Sequence, residues 1–197
     1  DTYKIDVSSI DELEKSIEHY VVKYEDSLPA RMVDSLIRFG STGRDNCVEF
    51  EGAINRFFAY MGYDSKQLGQ GNGRVADVIA KYRDSKTPNS YGLIIDAKAY
   101  TKYNFNAADV RKMKEYIEFH QKQLLEDLIP RLAYVFISMD FVPEEKALNE
   151  ISESTAINGT AIDVFTLLEL GSKVLKRELE ISNIYTSFTS NKRYICP

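Results

Sequence analysis

Apolar residues recur at helical spacing through the first third of the chain. Ile10, Leu13, Ile17, Tyr20 and Val21 fall on one face of a helix over residues 10–24, with Ser9 and Asp11 as candidate caps. Pro29 can open a second helix that carries Met32, Leu36 and Ile37 and ends near Gly40. After a polar loop over 40–46, Phe50, Ile54, Phe57, Phe58 and Met61 give a third helix a wide apolar stripe, closed by Gly62.

Beyond that helix the period changes. A glycine-rich loop over 69–73 leads into residues 75–82, which alternate apolar and polar as a half-buried strand does. A turn over 86–90 contains Pro88, and Tyr91-Gly92-Leu93-Ile94-Ile95 then has the continuous apolar character of a strand buried on both faces. That run stops at Asp96-Ala97-Lys98. The pattern predicts a long helix over about 107–128, a buried strand at 133–139, a helix near 144–154, a strand around 160–164 and helical closing segments. Helices and strands in this order make an α/β fold, a mixed central sheet flanked by helices. We expect one domain, in which an N-terminal helical segment (1–46) packs on a core formed by 47–197.

A chain of 197 residues with 44% hydrophobic content supports one substantial core. No apolar run reaches the roughly 18 residues that cross a bilayer, and the first residues are polar rather than basic and then apolar, so neither a membrane nor a secretory route is expected. Cys47 and Cys196 are too few for a disulfide framework, which fits reduced thiols in a cytoplasm. The chain opens on Asp1 without a methionine, and we expect a piece of a longer polypeptide. The net charge of −5 is the wrong sign for holding DNA by phosphate neutralisation alone. A domain of this charge that acts on DNA needs another to deliver it.

Candidate chemistry concentrates at two strand ends. Residues two apart in a strand project to the same face, so Asp96 and Lys98 share one side while Ala97 points away. An adjacent strand brings Asp77 opposite them. Converging carboxylates repel and are costly to desolvate, and a hard divalent cation with oxygen ligands is the usual remedy. Such an ion activates water and a phosphate towards hydrolysis. Lys98 beside it would orient or help deprotonate the attacking water and stabilise developing charge. Glu51, on the preceding helix, adds a further carboxylate. On spacing alone a second reading stays open, in which these residues are solvated strand ends or a local ion pair.

A set of residues carries a resemblance. Glu51 with Phe57-Phe58 and Gly62-Tyr63, Lys66-Gln67-Leu68-Gly69, Asp77, Ile94-Ile95-Asp96-Ala97-Lys98-Ala99-Tyr100, Tyr103-Asn104, Met113 and Tyr116 resemble the nuclease domain of FokI-like type IIS restriction endonucleases, within the PD-(D/E)xK superfamily. The similarity covers about 47–116 and continues more weakly through Val135-Phe136-Ile137-Ser138 and Asn158-Gly159-Thr160-Ala161 to about residue 170. The Asp-Ala-Lys-Ala-Tyr block with its upstream Asp is the specific part.

The resemblance implies a restriction-endonuclease-like core that cuts double-stranded DNA with Mg²⁺, or Mn²⁺ in its place. Asp77, Asp96, Lys98 and Glu51 would be catalytic, with Asp77, Asp96 and Glu51 on the metal. It further implies a separate DNA-recognition domain or subunit, with cleavage outside the recognised sequence. Double-strand cutting would need a transient homodimer or heterodimer through the long helix, where the family's interfacial acid and base positions fall on Arg111 and Glu115 with signs reversed. Arg74, Tyr100 and Tyr103 are candidate contacts to the DNA backbone. The chain departs from the family at Ala76, where a proline is usual, and in a longer glycine loop. Two other readings share this fold: a strand-specific nicking subunit, and a non-catalytic assembly module that uses the long helix for protein contacts.

Gly69, Gly71 and Gly73 do not make a nucleotide-binding loop, because they lead into a strand and not from a strand into a helix. His19 and His120 lie on helices without Cys or His neighbours, which assigns them to surface or packing.

Overall fold

The computed structural model describes residues 10–68, 75–84, 89–142 and 145–196. The glycine-rich loop with Arg74, the Ser9 cap and most of the turn around Pro88 lie outside these residues. The elements are α1 (Ile10–Lys23), α2 (Ala30–Ser41), α3 (Cys47–Met61), β1 (Asp64–Gln67), β2 (Val78–Tyr82), β3 (Tyr91–Lys98), α4 (Ala107–Glu126), β4 (Arg131–Ser138), α5 (Glu145–Thr155), β5 (Gly159–Asp163), α6 (Val164–Leu175) and the short α7 (Tyr185–Phe188).

The strands form one sheet in the order β1-β2-β3-β4-β5, antiparallel through β3 and parallel from β3 to β5. The parallel pairs need crossovers, which α4 and α5 supply on the same face of the sheet. Strand alternation divides the core into two layers. Val78, Ala80, Leu93, Ile95, Val135, Ile137 and Ile162 face the helical layer of α1, α2, α3 and α6. Ile79, Ile94, Tyr134, Phe136 and Ala161 face α4 and α5, meeting Val110, Met113, Ile117, Leu148 and Ile151. The mixed sheet flanked by helices is thus the expected architecture. None of the described helices is long and apolar enough to cross a membrane.

Most expected elements lie within a residue or two of the observed bounds, and two differences matter. Residues 64–67, where the pattern predicts no element, form an edge strand whose side chains are exposed or half-exposed, so no apolar alternation announces it; its pairing to β2 is carried by backbone hydrogen bonds. The strand expected over 75–82 begins only at Val78. At Asp77 the ladder still holds: its N–H donates to Ile95 O at 3.1 Å, and its carbonyl accepts Leu68 N–H at 2.9 Å. One residue earlier, the N–H of Ala76 turns away to a side chain on α4. The α3 helix closes as expected on Gly62, whose φ of 104° is the left-handed conformation that glycine adopts without a Cβ penalty.

Candidate active site

β3 is apolar until its last turn of alternation. Ile94 points towards α4, and the period of two puts Asp96 and Lys98 on that same side. Lys98 Nζ lies 2.7 Å from Asp96 Oδ2, so the shared face read from spacing is realised as a close ion pair. Asp77 arrives from the neighbouring strand. Its Oδ2 accepts the Ala97 N–H at 2.7 Å, so β3 grips this residue through both backbone and carboxylate.

The sequence reading missed a residue here. Asp109, in the first turn of α4, lies with its Oδ1 3.1 Å from Lys98 Nζ and is buried. Its Oδ2 accepts the Asn106 N–H at 3.0 Å, while Asn106 Oδ1 accepts from the N–H groups of Ala108 and Asp109. This is a capping box, and the Asn-x-x-Asp spacing was visible in the sequence. What spacing did not reveal is that the start of α4 meets the end of β3. Tyr103 completes the group: its hydroxyl donates to Asp109 Oδ1 at 2.8 Å, and Lys98 Nζ lies 5.3 Å from its ring centroid. Tyr103, a candidate contact to the DNA backbone, thus has its hydroxyl engaged with Asp109.

Glu51 is buried on α3, and Gln67 Nε2 lies 3.4 Å from its Oε2. Its charge reaches the site. Asp77 is held well above the usual carboxylate range by burial first, then by the charges of Asp96 and Glu51, against the pull of the Ala97 N–H and Lys98. Burial pulls the Lys98 ammonium down, but Asp96, Tyr103 and Asp109 outweigh it, and the amine stays protonated well above the ordinary lysine range. Tyr116 of α4 is pushed up to about 12 by burial, then by Asp96 and Asp77, which places its ring at the edge of the same cluster.

These charges describe a site with more acid than base. An ammonium held by Asp96 and Asp109 leaves Asp77 half-buried beside like charges, an arrangement that a divalent cation would relieve. Among the described residues no three Asp, Glu, His or Cys side chains close around one point as a ready-made cage. A pair of carboxylates with a third acid farther off fits Mg²⁺, which keeps several waters and takes few protein ligands.

The remaining candidates are dispersed. Tyr100 is half-buried just past β3, and Arg74 lies outside the described residues. Arg111 is exposed and Glu115 half-exposed on α4. Neither ion-pairs with another described residue. A groove of about 740 Å³ lies between α2 and α3, but no carboxylate of the cluster lines it.

A family model of the FokI cleavage domain matches residues 6–195. Among solved structures, that of restriction endonuclease FokI matches with a TM-score of 0.81 and 23% identity, over 93% of this chain and 34% of that one. The structure of FokI bound to DNA matches with a TM-score of 0.80 and 23% identity, over 93% of this chain and 33% of that one. The chain thus spans about a third of the length of the proteins it resembles. No curated protein sequence matches it.

Proposed function

Because the chain belongs to the FokI cleavage-domain family, we propose that it hydrolyses phosphodiester bonds of double-stranded DNA in a divalent-cation-dependent reaction, as the cutting domain of a type IIS restriction endonuclease. The observation that carries this reading is the cluster at the end of β3, where the Asp77 carboxyl is pushed upward by burial and then by Asp96 and Glu51, beside a clamped Lys98. A structural ion pair needs no third and fourth carboxylate.

Asp77 and Asp96, with Glu51 behind them, would hold Mg²⁺, for which Mn²⁺ can substitute. Bound there, the ion supplies polarisation of the scissile phosphate and a lower pKa for the attacking water. Lys98 acts as a fixed cation: with its proton held by Asp96 and Asp109, it orients the water and stabilises negative charge on the phosphate, and it does not serve as the base. Asp109, whose Oδ1 also accepts the Tyr103 hydroxyl, takes a second of the ammonium's three donors and leaves the third for the water. The acidic chain has little means of holding DNA by itself, so a separate recognition domain or subunit delivers it, with Tyr100, Tyr103 and Arg74 as its candidate contacts to the DNA backbone. Arg111 and Glu115 on the outer face of α4 suit a two-fold contact in which each Arg meets the other copy's Glu.

A supercoiled-plasmid assay with Mg²⁺ and with EDTA tests the proposal, using the chain alone and fused to a DNA-binding module. Nicked and then linear DNA in the Mg²⁺ lanes is expected, with the linear fraction rising steeply with protein concentration as pairing demands. Intact plasmid in the fused protein's Mg²⁺ lanes overturns the nuclease reading in favour of an assembly module. Nicking that never proceeds to linear DNA at any concentration removes the paired cutter.

A further inference from the structure

His120 sits midway along α4 and is 1% exposed. Its Nε2 accepts the backbone N–H of Ala76 at 3.1 Å. Ala76 is buried too, packed among the α4 residues Val110, Met113, Tyr116 and Ile117. The next residue is Asp77, where the sheet's own hydrogen bonding resumes with the Asp77 N–H on Ile95 O and the Leu68 N–H on Asp77 O. The Ala76 N–H falls just outside that ladder. Without an acceptor from α4 it would be a buried orphan donor, stripped of water with nothing in its place.

We propose that His120 is a positioning residue: its Nε2 fixes the peptide that enters Asp77 and so sets the approach of the Asp77 carboxylate to Asp96. The proposal rests on the reading of Asp77 as part of the cutting site. Acceptance at Nε2 requires a neutral ring with its proton on Nδ1. Burial holds the imidazole below its ordinary pKa, with the Gln123 side chain working against it. A leucine would fill this space with no polar atom to satisfy, so packing alone does not account for an imidazole here; the bond to Ala76 does.

Two measurements separate the anchor from the activity. Long-range ¹H–¹⁵N correlation of the histidine ring nitrogens in the 197-residue chain at neutral pH should show the Nδ1–H tautomer for His120. The Nε2–H tautomer overturns the proposal whether or not the protein cuts DNA. In plasmid nicking, His120→Leu should lower kcat on the order of 10- to 100-fold with KM for DNA little changed, the range for losing a partner that orients a metal ligand. His120→Gln offers an oxygen near the Nε2 position, and the double variant His120→Leu/Ala76→Pro deletes the N–H that needs an acceptor. Recovery of most of the lost kcat in either one supports the anchor. Recovery in neither, or wild-type kcat in His120→Leu, overturns it. A wild-type chain that fails to cut even when fused to a DNA-binding module defeats the nuclease reading and leaves the ring tautomer to decide the anchor.

Discussion

Lys81, Lys98 and Arg193 each lie between two carboxylates on this sheet, and the last two differ in what surrounds them. Lys98 lies between Asp96 and Asp109 at the end of β3. Arg193 lies between Asp140 and Asp163, 2.6 Å and 2.9 Å away, beyond the ends of β4 and β5. The Arg193 group is spent on structure. Asp163 caps α6, accepting the Thr166 N–H on Oδ1 and the Thr166 hydroxyl on Oδ2, and residues 193 and 194 run alongside β5 through Ala161. Each contact there fastens the C-terminal segment to the sheet. At Lys98 the two acids that hold the amine are joined by Asp77, whose own carboxyl is destabilised as an anion by burial and then by its acidic neighbours. Ion-pair composition alone does not separate a stitch from a site. Surplus buried charge does, because folding retains it at a cost to stability that no local contact returns.

The largest effect should come from Asp96→Asn, a near-isosteric change that removes one charge from the surplus cluster. Plasmid cleavage should fall on the order of 1000-fold, the scale for deleting a preorganised charge from a reaction centre, while the melting temperature holds or rises. The matching change in the other cluster, Arg193→Met, should do the reverse. It should lose about 1 kcal/mol of stability in urea titrations, since the pair is partly exposed and screened, with cleavage by the folded protein unaltered. If cleavage drops as far in Arg193→Met as in Asp96→Asn, the distinction between stitch and site fails.

The smallest effect is a change in melting temperature. A carboxyl whose folded pKa lies above its unfolded value favours folding fully only below the unfolded pKa, and that contribution is lost as pH rises through the folded pKa. Asp77→Asn should therefore stabilise the metal-free protein at neutral and alkaline pH, raising the melting temperature by roughly 2–4 °C for each kcal/mol of relief. The gain should shrink as pH falls towards about 4, where the unfolded carboxyl takes up its proton. Calorimetric scans in EDTA at several pH values measure it, and a loss of stability at pH 8 contradicts the electrostatic account.

How much of this was legible in the sequence depends on the range of each interaction. The Asp96–Lys98 pair follows from strand periodicity, and the upstream Asp77 sits one register step away, so local pattern reaches both. The sheet's central strands and the long helix were equally plain, since each buries an unbroken or periodic apolar surface. β1 was not, because an edge strand of Asp, Ser, Lys and Gln has no apolar period to read. Asp109 is visible as part of a helix-start box but not as a partner of Lys98, and His120 reads as a packed or surface residue. Both depend on where α4 lies across the sheet, a tertiary fact that spacing along one helix does not contain.

The central claim is that Asp77 and Asp96 form a cation site, and Mn²⁺ titration followed by electron paramagnetic resonance tests it most directly. The wild-type chain should deplete the free-ion signal, Asp77→Asn and Asp96→Asn should not, and Asp163→Asn should behave as wild type. Depletion that persists in both Asp77→Asn and Asp96→Asn, or that disappears in Asp163→Asn alone, would contradict it.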